Sequence, residues 1–117
     1  VRPLLLLVAL AACHGNAAGG SADGPTVFAS VCATCHGPNG KPAEAMVQRL
    51  GVRDLTAPEF RARATPALVA NQVRTGSKNM LMPAFAGTLD DKQIEAVSAY
   101  VASRAFISAS TSGSSSR

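Results

Sequence analysis

The stretch VCATCHGPNG, from Val31 to Gly40, constrains this chain more than any other part of it. It sets Cys32 and Cys35 three residues apart, with the imidazole of His36 directly behind the second thiol. Three chemistries use that spacing, and each demands something different from the rest of the sequence. A tetrahedral zinc site needs a second pair of ligands further along. The only other cysteine is Cys13 and the only other histidine is His14, both in or beside an apolar N-terminal segment. A dithiol redox pair belongs at the head of a helix that follows a strand, among alternating strands and helices. No convincing strand pattern is present. Covalent haem attachment turns both thiols into thioethers on the porphyrin vinyl groups and gives the imidazole one axial position on the iron. It asks for one more group, a soft or imidazole ligand for the opposite face, and Met82 meets that need. Haem attachment is the reading the sequence supports best.

Size points the same way. With 117 residues in all, the foldable middle is a single small domain. Below roughly 80 residues a core usually needs a disulfide, a metal or a comparable prosthetic group to hold it. Four Phe, one Tyr and no Trp supply little aromatic bulk, a shortage that a porphyrin plate would fill. The formal charge of +4 is mild, unlike the dense basic stripe of a nucleic-acid binder. Seven Lys and Arg fall between Lys41 and Lys78, against Glu44, Asp54 and Glu59. They are expected to be solvated surface, or a ring that meets protein partners with an acidic docking face.

The first residues, VRPLLLLVALAAC, carry Arg2, nine apolar residues from Leu4 to Ala12, and then Cys13. Nine helical residues rise about 14 Å, against roughly 30 Å of bilayer hydrocarbon, so the run is too short to span. Its layout is that of an export signal over residues 1–12. Leu10-Ala11-Ala12-Cys13 also resembles the bacterial lipoprotein signal, in which cleavage precedes a cysteine that takes up lipid. Residues 13–23, small and polar, read as a flexible tether to a domain at 24–107. The Ser/Gly run at 108–117 reads as a disordered tail.

Helical signals fill the middle. Asp23-Gly24-Pro25 marks a start, with Val27, Phe28 and Val31 as an apolar stripe leading to Cys32. A short helix from Pro42 or Ala43 stops at Gly51. Thr56-Ala57-Pro58-Glu59 has capping-box spacing. Thr65-Pro66 opens a helix that ends at Gly76, where a left-handed cap is expected. Asp90-Asp91-Lys92-Gln93 opens the strongest helix, with Ile94, Val97 and Val101 on one face beside Tyr100.

Together, CATCHG at Cys32 to Gly37 and MPAFAGTLDDKQIEAVSAYV from Met82 to Val101 resemble the small soluble class I cytochromes c. Gly24 and Phe28 stand at the expected distances before the first cysteine, and the resemblance covers Gly24 to Ile107. It implies an all-α fold, a small helical domain wrapped around one covalently attached haem c. It also implies that the first and last helices cross, Gly24 and Phe28 meeting Val97 and Tyr100. In that family the proximal histidine donates to a carbonyl of a proline-containing loop, for which Pro42 or a later residue is available here. Leu55 corresponds to a leucine packed on the haem edge.

For the distal ligand, Met46 lies too close to His36 and inside an expected helix. Met80 and Met82 would share a face of an extended loop, so alternation alone does not separate them. Pro83 stiffens the backbone behind Met82, and the family's Met-Pro step agrees; His14 is expected to be merely solvated. The resemblance therefore implies a one-electron carrier, not an enzyme, with Cys32 and Cys35 as thioether links and His36 and Met82 on iron. Its partners would be redox proteins, with no nucleic acid. Its place would be outside the cytoplasm, periplasmic or bound to a membrane through lipid on Cys13. The alternatives are a haem subunit of a larger oxidoreductase, and a gas-binding sensor with a labile sixth ligand.

Overall fold

The computed structural model describes residues 18–113. The expected export signal, Cys13, His14, the first residues of the tether and the last residues of the tail lie outside them. Among the described residues, seven α-helices and one π-helical segment follow one another: α1 (Gly24–Val27), the π segment (Phe28–Cys32), α2 (Ala33–His36), α3 (Glu44–Leu50), α4 (Pro58–Arg61), α5 (Pro66–Thr75), α6 (Asp91–Ala102) and α7 (Arg104–Ser112). No strand forms among the described residues, where only an isolated bridge pairs Ala86 with Leu89. The fold is that of a small all-α domain.

Helix starts follow local chemistry. The Asp23 carboxylate accepts from the Thr26 amide at 3.1 Å and from its hydroxyl at 2.6 Å, satisfying donors that the first turn of a helix leaves free. Thr65 accepts from the Leu68 amide at 3.1 Å. Asp90 and Gln93 form a full reciprocal capping box. Gly51 ends α3 in the left-handed conformation that its missing Cβ permits.

Two expected caps differ. Thr56 does not cap α4, because Asp54 accepts from both its amide (2.8 Å) and its hydroxyl (2.6 Å); Ala57 stands at the cap with no side-chain bond. Gly76 has φ 72° and ψ −171°, a region essentially reserved for glycine, and turns the chain sharply rather than closing a left-handed cap.

Helices α1 and α6 cross at a very short distance. A Cβ on Gly24 would stand 2.6 Å from both the Ala96 carbonyl oxygen and the Tyr100 Cβ. Val27, Phe28, Ile94, Val97 and Val101 are buried around this crossing. The π segment lets the Ala33 amide reach the Phe28 carbonyl, one residue further than an α-turn would, and such widened turns often mark functional positions.

Two expectations about the chain's ends are corrected. Within the expected tether, Ala18 is buried and the Ser21 carbonyl accepts from the Gln93 side chain at 2.8 Å, so that part is fastened to α6. Nor is the Ser-rich end simply a tail, since α7 runs through Ser112. Its hydroxyls bond back to carbonyls three or four residues earlier, as Ser112 does to Ser108 at 3.0 Å, and Phe106 anchors it at 1% exposure. Phe106 completes an edge-to-face trio, with ring centroids 5.1 Å from Phe28 and 5.3 Å from Tyr100, the latter two 6.2 Å apart.

Candidate functional site

The two thiols and the imidazole sit at the end of the first helical run. Cys32 closes the π segment, Cys35 and His36 lie in α2, and all three are half-buried. Both thiols are free. Burial, with a smaller contribution from Cys35, pushes the Cys32 thiol up to about 11. That is opposite to the activated thiolate of a dithiol redox centre. Among the described residues no three His, Cys, Asp or Glu side chains gather into a metal-binding group.

His36 is oriented from behind. Its Nδ1 lies 3.0 Å from the Arg53 carbonyl oxygen. A carbonyl only accepts, so Nδ1 carries the proton and Nε2 keeps its lone pair. Burial lowers the imidazole pKa and the Arg53 bond partly offsets this, so the neutral, ligating form is favoured. The acceptor is the backbone of Arg53, well after Pro42. It is placed there because the Leu55 amide donates to Gly40 at 2.8 Å, which lays residues 53–55 along the loop that leaves α2. Leu55 itself is buried in the core.

The methionines are sorted by a knot of hydrogen bonds after α5. The Ser77 amide donates to the Met82 carbonyl at 2.9 Å and the Met82 amide to the Ser77 hydroxyl at 3.0 Å. Asn79 accepts from the Ser77 hydroxyl at 2.6 Å and from the Leu81 amide at 3.1 Å. Gly76 makes the knot possible, because a Cβ there would stand 2.5 Å from the Met82 carbonyl oxygen. The Phe85 amide, bonded to the Val73 carbonyl at 2.9 Å, ties the far end to α5.

Met80 takes φ 62° at the tip and is 84% exposed, so Met80 and Met82 do not share a face. Met82 is half-buried and packs on the core that Cys32 also touches. Met46 lies half-buried on α3. Ser77 and Asn79 escaped sequence reasoning, because a polar loop residue gives no sign of which amide it will hold.

The basic run is partly consumed by structure. The Arg61 guanidinium donates to the carbonyls of Val101 (2.6 Å), Ala102 (3.3 Å) and Ser103 (3.0 Å) at the end of α6. Arg74 pairs with Asp91 at 3.5 Å. Lys41, Arg49, Arg53, Arg63 and Lys78 remain for an outward-facing surface.

A family model described as cytochrome c oxidase, cbb3-type, subunit III matches residues 20–101, a stretch that contains Cys32, Cys35, His36 and Met82. The chain belongs to this family of c-type cytochromes. A solved structure, the KustC0563 c-type cytochrome, is similar at 28% identity, covering 68% of this chain and 94% of that one with a TM-score of 0.60. Membership brings a covalently held haem c, electron transfer and redox partners. The chemistry of Cys32, Cys35, His36 and Met82 is compatible with that group: two half-buried thiols, an imidazole whose Nδ1 faces a carbonyl and a half-buried thioether. No helix of the described residues is long and apolar enough to cross a membrane.

Proposed function

We propose that this cytochrome is an extracytoplasmic one-electron carrier in a respiratory or related redox chain. Cys32 and Cys35 would form the thioether links, and His36 and Met82 would hold the iron. Bound haem supplies the one-electron change between ferric and ferrous iron. The residues around it set the terms of that change. The Arg53 carbonyl strengthens His36 as a donor, and a thioether at Met82 favours the ferrous state and raises the potential. The observation that carries this reading is the wiring of Met82 at both its amide and its carbonyl to Ser77. A ligand held so firmly suits a filled sixth position better than the labile one of a gas sensor or an enzyme.

The family description favours a second arrangement for the same chemistry, as the haem-bearing subunit of an oxidase rather than a free shuttle. A lipid on Cys13 would hold either form at a membrane. Redox partners with acidic surfaces would meet Lys41, Arg49, Arg53, Arg63 and Lys78. Expression with the haem-attachment machinery tests the assignment of the thiols. Haem stain should follow the chain through denaturing electrophoresis, with the mass of one added haem, and should be lost from the Cys32→Ser, Cys35→Ser double variant. A colourless wild-type chain would end the proposal.

A further inference from the structure

Helix α7 lies beyond the residues matched by the family model, yet its side chains reach the segment that orients His36. Phe106 covers Gly40 so closely that no Cβ could be added there, and the Leu55 Cβ would lie 3.3 Å from the same point. The Leu55 amide donates to the Gly40 carbonyl at 2.8 Å. Two residues earlier, the Arg53 carbonyl accepts from His36. From the same helix the Ser110 hydroxyl donates to the Asn39 carbonyl at 2.6 Å. Arg61 closes the arrangement, 5.7 Å from the Phe106 ring centroid and 3.5 Å from the Leu55 carbonyl oxygen.

We propose that Phe106 is a positioning residue for the proximal ligand. Its ring wedges Gly40 and Leu55 into register, keeps the Arg53 carbonyl on the Nδ1 proton of His36, and so governs how strongly Nε2 donates to iron. The wedge is rigid because the ring is held on three sides, by Phe28, Tyr100 and the Arg61 guanidinium. Removing it frees residues 53–55 to recede and lets water compete for the imidazole N–H. The inference rests on His36 being an iron ligand.

The test uses the full-length, haem-loaded, reduced protein and follows exchange of the His36 ring N–H by proton NMR. The amides of Ile94 and Val97 in α6 report opening of the whole domain. Phe106→Ala is expected to speed the ring proton on the order of tenfold relative to those amides. Phe106→Leu should fall between, and Ser110→Ala, which leaves the ring in place, should move the proton in the same direction by less. Ring exchange that rises only in step with the α6 amides would overturn the proposal and leave Phe106 as core filling. Should Phe106→Ala fail to fold, Phe106→Leu decides: a ring proton that moves there only in step with the α6 amides overturns it equally. Wild-type His36 ring resonances without the large upfield shift of a haem-bound imidazole would overturn the ligand assignment itself, and this inference with it.

Discussion

Gly24 on α1 meets Tyr100 on α6 at backbone distance, so that a Cβ on Gly24 would stand 2.6 Å from the Tyr100 Cβ. Behind this contact the Phe28, Tyr100 and Phe106 rings lock edge to face. The crossing fixes the direction in which the π segment delivers Cys32 and α2 delivers Cys35 and His36.

Replacing Gly24 by Ala should therefore force the helices apart. The cost expected for overpacking a tight contact is about 1–3 kcal/mol, read as a lowered denaturant midpoint of the haem-loaded protein. Thr26→Ala, exposed on the same helix, removes only a donor to Asp23 and should cost less. A Gly24→Ala midpoint equal to wild type would mean that the helices do not cross this closely.

Arg61 should prove a structural cation rather than part of a docking surface. Its guanidinium serves three carbonyls at the end of α6, and burial lowers its pKa. Charged hydrogen bonds of this kind contribute about 1.5–3 kcal/mol. Arg61→Gln should lower stability by that order, and Arg61→Lys should recover little because an ammonium lacks the planar fork. Partner binding should change no more than stability predicts, whereas Lys78→Gln should weaken binding without unfolding the domain.

Asp23 gives a pH dependence with a definite sign. Hydrogen bonds from the Thr26 hydroxyl and then its amide hold the carboxyl below the ordinary 3.8. The unfolded chain takes up the proton first as pH falls, so the stabilisation is complete above 3.8 and fades as pH drops through the lower folded value. Protection of the α1 amides, taken against the intrinsic exchange rate at each pH, should fall on acidification in that window. Asp23→Ala should start with faster exchange and lose this part of the pH dependence.

Much of this architecture is legible in the sequence, for reasons that are local. Asp23, Thr65 and the Asp90–Gln93 pair each bond to amides within three residues, so short-range pattern is enough to place the starts of α1, α5 and α6. The attachment motif is equally local. What pattern missed depends on distant partners. Arg61 finds its acceptors 40 to 42 residues away, and a serine-rich composition hides α7 because Phe106 needs the Phe28 and Tyr100 rings to anchor it. The Arg53 acceptor is backbone, which leaves no trace in residue type. Met80 and Met82 diverge only because Met80 takes a positive φ, which nothing in their spacing announces.

Cys13 carries the membrane prediction. With lipid attached, the wild type should sediment with membranes and gain the mass of a lipid group, while Cys13→Ser should appear in the soluble fraction with its haem in place. Membrane association that survives in Cys13→Ser would point to a partner protein as the anchor.

The central claim, a filled sixth position supplied by Met82, is tested most directly by optical spectroscopy of the wild type beside Met82→Ala and Met80→Ala. The ferric wild type should show the weak far-red band of sulfur bound to haem iron, and the ferrous form should exclude carbon monoxide. Met82→Ala should lose the band, admit carbon monoxide and fall in potential, since the ligand that prefers ferrous iron is gone. Met80→Ala should keep all three properties, as its exposure requires. A wild type that lacks the band and binds carbon monoxide readily would contradict the account and make this a ligand-binding haem protein rather than an electron carrier.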